Sequence, residues 1–489
     1  NEARKRIIED LEKLGFLVKK EKIMHTTPVC WRSKNPVEFI FMEEYYLKQL
    51  PFLEDLRKII DQIEFHPPES KHLLLNWVNS VNVDWPVSRR RFYGTEIPIW
   101  YCAKCGKPHL PKPGRYYQPW KEKPPFKECE CGSSEFIGET RTFDTWMDSS
   151  ISQLYVLGYK RDDTLFQKAF PCTLRPQGAD IVRTWLYYSI LRTYQLFSTP
   201  AFKHVRISGM GLDEHGEAMH KSKGNIIWPE PYLEKYGADA LRLWGASEAK
   251  LGSNYRFSRE RLEGSFRFLT KLWNVARFIS GFPVENSGFK LTPLDKMILS
   301  ELYQLVKECE LGFEEMDFFI PANAIRNFVW NIFADHYVEA VKARAYNMDK
   351  TFKDEEQAGA WETLHVCLKT VLKLLAPICP FLTEAIWCRV YSTQSIHLES
   401  FPEPREEWVS EYGQFTKQFM DLNSTIWKYK KSRNMALNEK LKTVYAPKVL
   451  EPFHADLKAM HKIENLMFGE PSEEEKKKLD KFGEIYLTV

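Results

Sequence analysis

Residues 218–225 read Ala218-Met219-His220-Lys221-Ser222-Lys223-Gly224-Asn225, behind a glycine-rich approach formed by Gly209, Gly211 and Gly216. Two lysines and a serine on a mobile loop suit chemistry in which negative charge builds on a phosphate. A lysine ammonium is a point charge on a flexible stem and can follow a departing phosphate. The same run also suits a solvated basic surface loop.

The densest local pattern is Cys102-Ala-Lys-Cys105 followed by Cys129-Glu-Cys131-Gly132. Two close cysteine pairs on glycine-containing turns can set four thiolates around a zinc ion. The second pair is tighter than the usual spacing, which leaves His109 as a conceivable substitute ligand. Four protein ligands would close the site, making it structural, and the segment around it holds too few apolar residues to fold without such a staple. The other six cysteines are scattered, the pattern of a reducing compartment with one metal site.

Three further clusters invite chemistry. Gln177-Gly178-Ala179-Asp180 precedes a helical stretch; a glycine there lets a nucleotide approach closely, and the carboxylate can accept from ribose hydroxyls, or simply cap the helix. Phe143-Asp144-Thr145-Trp146-Met147-Asp148-Ser149-Ser150 joins aromatic groups to small polar ones, as a substrate-pocket wall does. Arg89, Arg90 and Arg91 follow Trp85 and precede Tyr93, a combination that could grip the phosphates and stack the bases of single-stranded RNA, or form a surface hairpin.

These residues need elements to place them. At 489 residues the chain is too long for one core. A charge of +3 neither demands nor excludes nucleic acid. No apolar run is long enough to span a membrane. The chain lacks an initial Met and a recognisable signal peptide, so it is expected to be part of a longer protein. Helical spacing covers residues 3–14, and Phe16–Val18, Pro28–Arg32 and Val37–Phe41 read as strands of a β-rich remnant. Residues 141–230 mix a short apolar run at 201–207 with a helical segment at 180–196, as in a piece of an α/β sheet. From about residue 231 the pattern is helical. Leu269, Leu272, Trp273 and Ala276 share one face; Ile325, Phe328, Val329, Ile332 and Phe333 another; Leu364, Leu368, Val371, Leu372 and Leu375 a third, before Pro377. A charged helix over 411–431 and a small α/β tail follow.

The order Trp85-Pro-Val-Ser-Arg89, cysteine knuckle, Asp144-Thr-Trp146, Gly178-Ala-Asp180, Lys221-Ser-Lys-Gly-Asn225, Lys235-Tyr-Gly-Ala-Asp-Ala-Leu-Arg242 and then a helix bundle containing Pro380-Phe-Leu-Thr-Glu-Ala-Ile-Trp387 resembles the valyl, isoleucyl and leucyl subgroup of class I aminoacyl-tRNA synthetases. The signature loop departs from the family's Lys-Met-Ser-Lys-Ser at Ala218 and His220. Asp144-Thr145-Trp146 looks like the valyl branch, whereas Asp148 leans toward the isoleucyl one.

The resemblance implies an α/β plus all-α fold: the second half of a Rossmann-like catalytic domain with a zinc-knuckle insertion, an anticodon-binding helix bundle and a small α/β tail. In that frame, residues 1–42 are the end of an editing insertion with return strands, and 43–100 connect to the catalytic domain. Residues 101–140 are the zinc insertion, 141–230 the second catalytic half and 231–260 a stem-contact segment. Residues 261–400 bind the anticodon, and 401–489 form the tail. Gly178, Asp180, Met219, His220, Lys221, Ser222 and Lys223 are expected at ATP, with Lys221 catalytic. Trp146 and Ile181 are expected to line the amino-acid pocket, and Cys102, Cys105, Cys129 and Cys131 to bind structural zinc. ATP with Mg, valine and tRNA(Val) are the implied substrates of a cytoplasmic monomer. No His-x-Gly-His is present, so this polypeptide alone is not expected to form the adenylate. An isoleucyl or leucyl enzyme, a non-catalytic tRNA-binding module and a zinc-stapled scaffold without an RNA role are the rival readings.

Overall fold

The computed structural model describes residues 2–30, 33–37, 40–91 and 93–488. The chain divides into two compact units, residues 1–47 with 84–144, and residues 48–83 with 145–489.

In the first unit, helix Glu2–Lys13 forms where the spacing predicts it, but buries none of its residues. The strand expected at Phe16–Val18 does not form; Val18 is 98% exposed. A lone extended segment has no neighbour to take up its backbone hydrogen bonds, and alternation alone cannot supply one. Of the two further expected strands, the parts at Trp31, Arg32, Glu38 and Phe39 lie outside the described residues, and the remainder makes a single bridge, Val29 to Pro36. Tyr46–Leu47 pairs antiparallel with Trp85–Pro86, and Ser88–Arg89 with Thr142–Phe143. The cysteine segment builds an antiparallel sheet in the order Pro108–His109, Trp100–Cys102, Phe136–Gly138. Its small core is aromatic: buried Trp100 meets Tyr117 and Phe126 edge-on.

In the second unit, strands Cys172–Gly178 and Phe202–Ser208 run parallel, joined through helix Tyr187–Phe197. This is the crossover that parallel strands require. The helix presents Ile190 and Leu191, and the Phe202–Ser208 strand Val205 and Ile207, all buried. Glu64–His66 adds a third parallel strand on the far side of Phe202–Ser208. The expected helix over 180–196 exists, but its first turns are irregular: Ala179–Ile181 is a tight 3₁₀ turn and Val182–Leu186 a wide π turn.

The helical part contains Arg259–Ile279, Pro293–Glu314, a continuous rod from Phe319 to Tyr346 with π geometry over Phe328–Val338, and Asp354–Leu375. Leu364, Leu368, Val371, Leu372 and Leu375 are all buried, and that helix stops two residues before Pro377, where the missing N–H and the ring forbid continuation. Trp273 departs from its expected place in the core and is 38% exposed, beside an apolar surface formed by Phe266 and Phe381. Helix Thr416–Ser432 leads to a mixed four-stranded sheet, Ile463–Phe468, Leu441–Ala446, Ile485–Thr488, Asp480–Phe482, backed by helix His454–His461. The α/β plus all-α class with a small α/β tail, expected from the patterning, is the architecture observed. Among the described residues, no helix is long and apolar enough to cross a membrane.

Candidate functional site

Two features of the sheet locate a site. Gly178 closes its strand opposite Ser208. The turn carrying Asp180 and the segment starting at Gly209 therefore leave the same, carboxyl edge of neighbouring parallel strands. That edge is where open α/β sheets bind ligands. At Gly178 a Cβ would lie 2.6 Å from an Asp180 carboxylate oxygen, so a larger residue would turn that side chain aside. Gly209 passes still closer to the Ser253 carbonyl, where a Cβ would meet the oxygen at 1.8 Å.

The loop beyond Gly209 is a small built object. Leu212 bridges Ala218, and the buried Asp213 carboxylate accepts from the His215 and Glu217 amides at 2.9 and 2.8 Å and from the Asn225 side chain at 2.8 Å. The Asn225 contact, with those amides, holds Asp213 below the ordinary carboxylate range. Asn225 in turn accepts the His220 amide at 2.9 Å, and the Lys223 amide donates to the His220 carbonyl. The result is a turn over His220–Gly224 whose base is tied to Asp213 and whose tip is free. Met219 faces inward, its sulfur 3.5 Å from the Ile227 amide. Lys221 and Ser222 are exposed; Lys223 is exposed as well but pairs with Glu217 at 3.1 Å. The Lys221 carbonyl accepts the Gly224 amide at 3.3 Å, while its ammonium makes no hydrogen bond or ion pair among the described residues.

Trp146 and Ile181 are both half-buried; helix Thr145–Ser149, which carries Trp146, lies against the Val182–Leu186 turn that directly follows Ile181. Trp185 ties the two, donating its indole N–H to the Ser149 carbonyl at 3.0 Å.

Two residues here escaped the reading of the sequence. Arg175 is buried between the rings of Trp185 and Phe202, 3.7 and 4.4 Å from their centroids, and burial lowers its pKa to about 10. Gln177, directly before Gly178, is buried with neither side-chain amide atom hydrogen-bonded within the protein. An unmet buried polar group costs about 1–3 kcal/mol, so Gln177 marks a place where a ligand would be welcome. The signal for both is strand alternation, which puts Arg175 and Gln177 on one face.

The four cysteines come together. Cys102 and Cys131 sulfurs are 3.4 Å apart, Cys105 and Cys129 sulfurs 3.6 Å, and all four ligand atoms lie within 4.8 Å. A tetrahedral zinc with Zn–S bonds of about 2.3 Å has sulfurs about 3.8 Å apart, so the set fits that ion. His109 stands against the Cys129 sulfur at 3.3 Å, a neighbour of the cluster. The amides of Cys105 and Lys104 draw the Cys102 thiol down to about 6, and facing Cys102 pushes Cys131 up to about 12. Four sulfurs this close cannot all ionise without a cation. Chelating the metal is therefore expected to open the small sheet. Amide exchange at Trp100 and Tyr101 should rise to that of an unfolded segment while helices 259–375 keep their protection. Unchanged protection after complete chelation would exclude a metal staple.

Of the three arginines, Arg89 pairs with Asp144 at 2.7 Å and Arg90 with Glu44 at 2.7 Å; Arg91 is exposed. Two of the three thus hold their own unit together, at modest benefit because both are part-exposed.

A matching model for "tRNA synthetases class I (I, L, M and V)" covers residues 2–258, and one for "Anticodon-binding domain of tRNA ligase" covers 295–445. The chain belongs to the class I tRNA synthetases. It is 46% identical to a valine–tRNA ligase of Pyrobaculum aerophilum over 99% of this chain and 61% of that one. With a valine–tRNA ligase of Aeropyrum pernix it shares 47% identity over 94% of this chain and 57% of that one. The chain therefore spans about three-fifths of the length of these curated relatives. Among solved structures, a Mycobacterium tuberculosis methionyl-tRNA synthetase in complex with methionyl-adenylate matches with a TM-score of 0.56 at 18% identity, over 75% of this chain and 66% of that one. A likeness at that identity concerns the fold. Within this synthetase chain the Tyr236-Gly-Ala-Asp-Ala-Leu-Arg242 stretch has a legible structural job. Asp239 accepts the Leu382 amide at 2.6 Å at the start of helix Pro380–Val390, and Arg242 donates to the carbonyls of Ile378 and Pro377 at 2.8 and 3.1 Å. An anion at a helix N-terminus and a cation at free carbonyls both satisfy groups that a break leaves open.

Proposed function

We propose that this chain is a portion of a valine–tRNA ligase, which activates valine with ATP and transfers it to tRNA(Val). The observation that carries the reading is the register of Ser208 against Gly178, which sends the Asp180 turn and the Lys221 loop off one edge of the sheet. In this reading ATP lies along that edge. Gly178 leaves room for the nucleoside, and Asp180 accepts from its ribose. Gln177 supplies the amide that the fold leaves unmet. The 219–223 turn, with Met219 as its inner anchor and His220, Ser222 and Lys223 around the tip, carries Lys221 onto the phosphates. Trp146 and Ile181 wall the valine side chain, and Mg accompanies ATP.

The valine carboxylate is already ionised at neutral pH, so its attack on the α-phosphorus needs no general base. The chain's contribution is placement and charge: Lys221 neutralises the leaving pyrophosphate as the loop closes. The tRNA 3′-terminal hydroxyl then attacks the adenylate carbonyl. The helices over 261–400 receive the anticodon stem and loop, residues 231–260 the stem, and Arg91 a phosphate. The knuckle over 101–140 holds its zinc for structure alone. Residues 1–42 close an editing insertion, 43–100 connect into the catalytic domain, 141–230 form its second half, and 401–489 form the tail. The spread of its ten cysteines, four of them gathered in the knuckle, accords with a reducing compartment such as the cytoplasm, where the protein acts as a monomer in this reading.

The test is amino-acid-dependent pyrophosphate exchange by the full-length protein. Valine should support it at least about 100-fold better than isoleucine or leucine, within the reach of a sterically bounded pocket. Equal exchange with isoleucine would overturn the substrate, and no exchange with any of the three would leave a tRNA-binding module. Gly178→Ala should raise KM for ATP about tenfold, or about 1.4 kcal/mol, because the new methyl displaces the Asp180 carboxylate. Thermal stability should hardly move, since the Gly178 backbone is extended at φ −81° and suits alanine.

A further inference from the structure

Away from the knuckle and below the edge of the sheet, a second ligand set stands on adjacent strands. Glu64 is paired with His204 and His66 with Arg206 in the parallel register. Parallel partners project to the same side, so Glu64, His66 and His204 share one face of the sheet. The His66 Nε2 lies 3.3 Å from the His204 Nδ1 and 3.5 Å from a Glu64 carboxylate oxygen; the other Glu64 oxygen is 3.3 Å from the His204 Nδ1. All three ligand atoms lie within 4.8 Å of one another. His66 is buried, His204 half-buried and Glu64 exposed, so the group opens to solvent on one side.

We propose that Glu64, His66 and His204 bind a zinc-type divalent cation, separate from the cysteine site. The spacing is the first argument. Ligands on a tetrahedron with metal–ligand bonds of about 2.0–2.1 Å stand about 3.3–3.4 Å apart. The two imidazole nitrogens are 3.3 Å apart, one Glu64 oxygen is 3.3 Å from His204, and one atom from each residue can be chosen with all three within 4.8 Å. The donor set is the second. Two imidazoles and a carboxylate select zinc and its neighbours over magnesium or calcium, which take oxygen ligands. The third is convergence from two strands: one donor atom from each of the three side chains points at a common place that is open to solvent on the Glu64 side. Arg206, opposite His66 on the same face, is engaged elsewhere: its Nε donates to the Met316 carbonyl at 2.7 Å, and its guanidinium lies 5.4 Å from the Phe318 ring centre.

The site is distinct from the nucleotide edge. His204 lies opposite Leu174, four residues short of Gly178, or about 13 Å along the strand. With three protein ligands its fourth position is open to water. Its structural consequence is a clasp: Glu64–His66 is a three-residue edge strand, and the ion would pin it to the central strand of the sheet.

The full-length protein, stripped of metal and titrated with zinc, is expected to take up two equivalents, one of them retained by the Cys102→Ser variant. His204→Gln and Glu64→Gln, both at solvent-accessible positions, should each lose or weaken at least tenfold the equivalent that Cys102→Ser keeps. His66→Ala should lose it entirely, with the accessible variants deciding the matter if that protein fails to fold. Cobalt in Cys102→Ser should give a visible spectrum without the near-ultraviolet thiolate band. A single equivalent in the wild-type protein, unaltered by His204→Gln, would overturn the site, as would a second equivalent indifferent to all three substitutions.

Discussion

Lys221→Ala in the full-length protein is expected to lower the rate of valine-dependent pyrophosphate exchange by about 100- to 1,000-fold, the usual loss when one preorganised group facing developing charge is removed. Affinity for tRNA should stay within about twofold, or about 0.4 kcal/mol, because the loop tip is not part of the helical surface proposed for the anticodon. Lys223→Ala should cost far less, since Lys223 is held at 3.1 Å by Glu217 and would have to leave that pair to reach a phosphate. The contrast between two lysines two residues apart is the discriminating measurement. Equal losses for both would mean that the loop acts as a diffuse basic patch, and parallel losses of exchange and tRNA binding would mean that Lys221 serves the RNA. Asn225→Ala offers a check on the geometry. It removes the link between Asp213 and the turn, and should reduce the rate without removing any charge from the tip.

How far the fold can be read ahead of coordinates depends on which force sets each element. The helical part is legible because burial sets it: Leu364, Leu368, Val371, Leu372 and Leu375 repeat at helical spacing and all reach the core. The cysteine cluster is legible because thiolate spacing is a local constraint, and even the tight Cys129–Cys131 pair closes with its partners. The catalytic sheet is less so. Glu64–His66 has three residues and no periodicity to detect, yet it supplies one edge of the sheet and two members of the second ligand set. Phe16–Val18 fails for the converse reason: it has strand composition and no neighbour. At the site, Asp180 and Lys221 are visible as residue types, but their common edge is a property of strand register that spacing in the chain does not encode. Alternation does put Gln177 and Arg175 on one face, but a polar residue in a strand looks solvent-facing until its neighbours cover it.

The same blindness conceals the centre of the helical part, where Arg344 looks like one more surface cation on a helix. It is instead fully buried. Its two terminal nitrogens grip the Asp295 carboxylate at 2.7 and 2.8 Å, its Nε donates to Asp456 at 3.0 Å, and Tyr337 donates to Asp295 at 2.7 Å. Asp295 belongs to helix Pro293–Glu314 and Asp456 to the tail helix His454–His461, so one guanidinium joins the bundle to the α/β tail. Arg344→Met is expected to destabilise this part by about 3–5 kcal/mol, the cost of leaving buried carboxylates unpaired, whereas replacing Arg344, Asp295 and Asp456 together by apolar residues should recover most of the loss. Denaturant unfolding followed by helical circular dichroism measures both, and a single-variant loss below about 1 kcal/mol would show that water reaches the cluster. Two carboxylates face one cation, and burial pushes Asp456 up to about 6 from an ordinary 3.8. The folded chain therefore holds that proton more tightly than the unfolded chain, so stability should fall as pH rises through the interval from about 4 to about 6. Asp456→Asn, which keeps an acceptor and has no proton to lose, should flatten that interval and leave the Arg344–Asp295 pair in place.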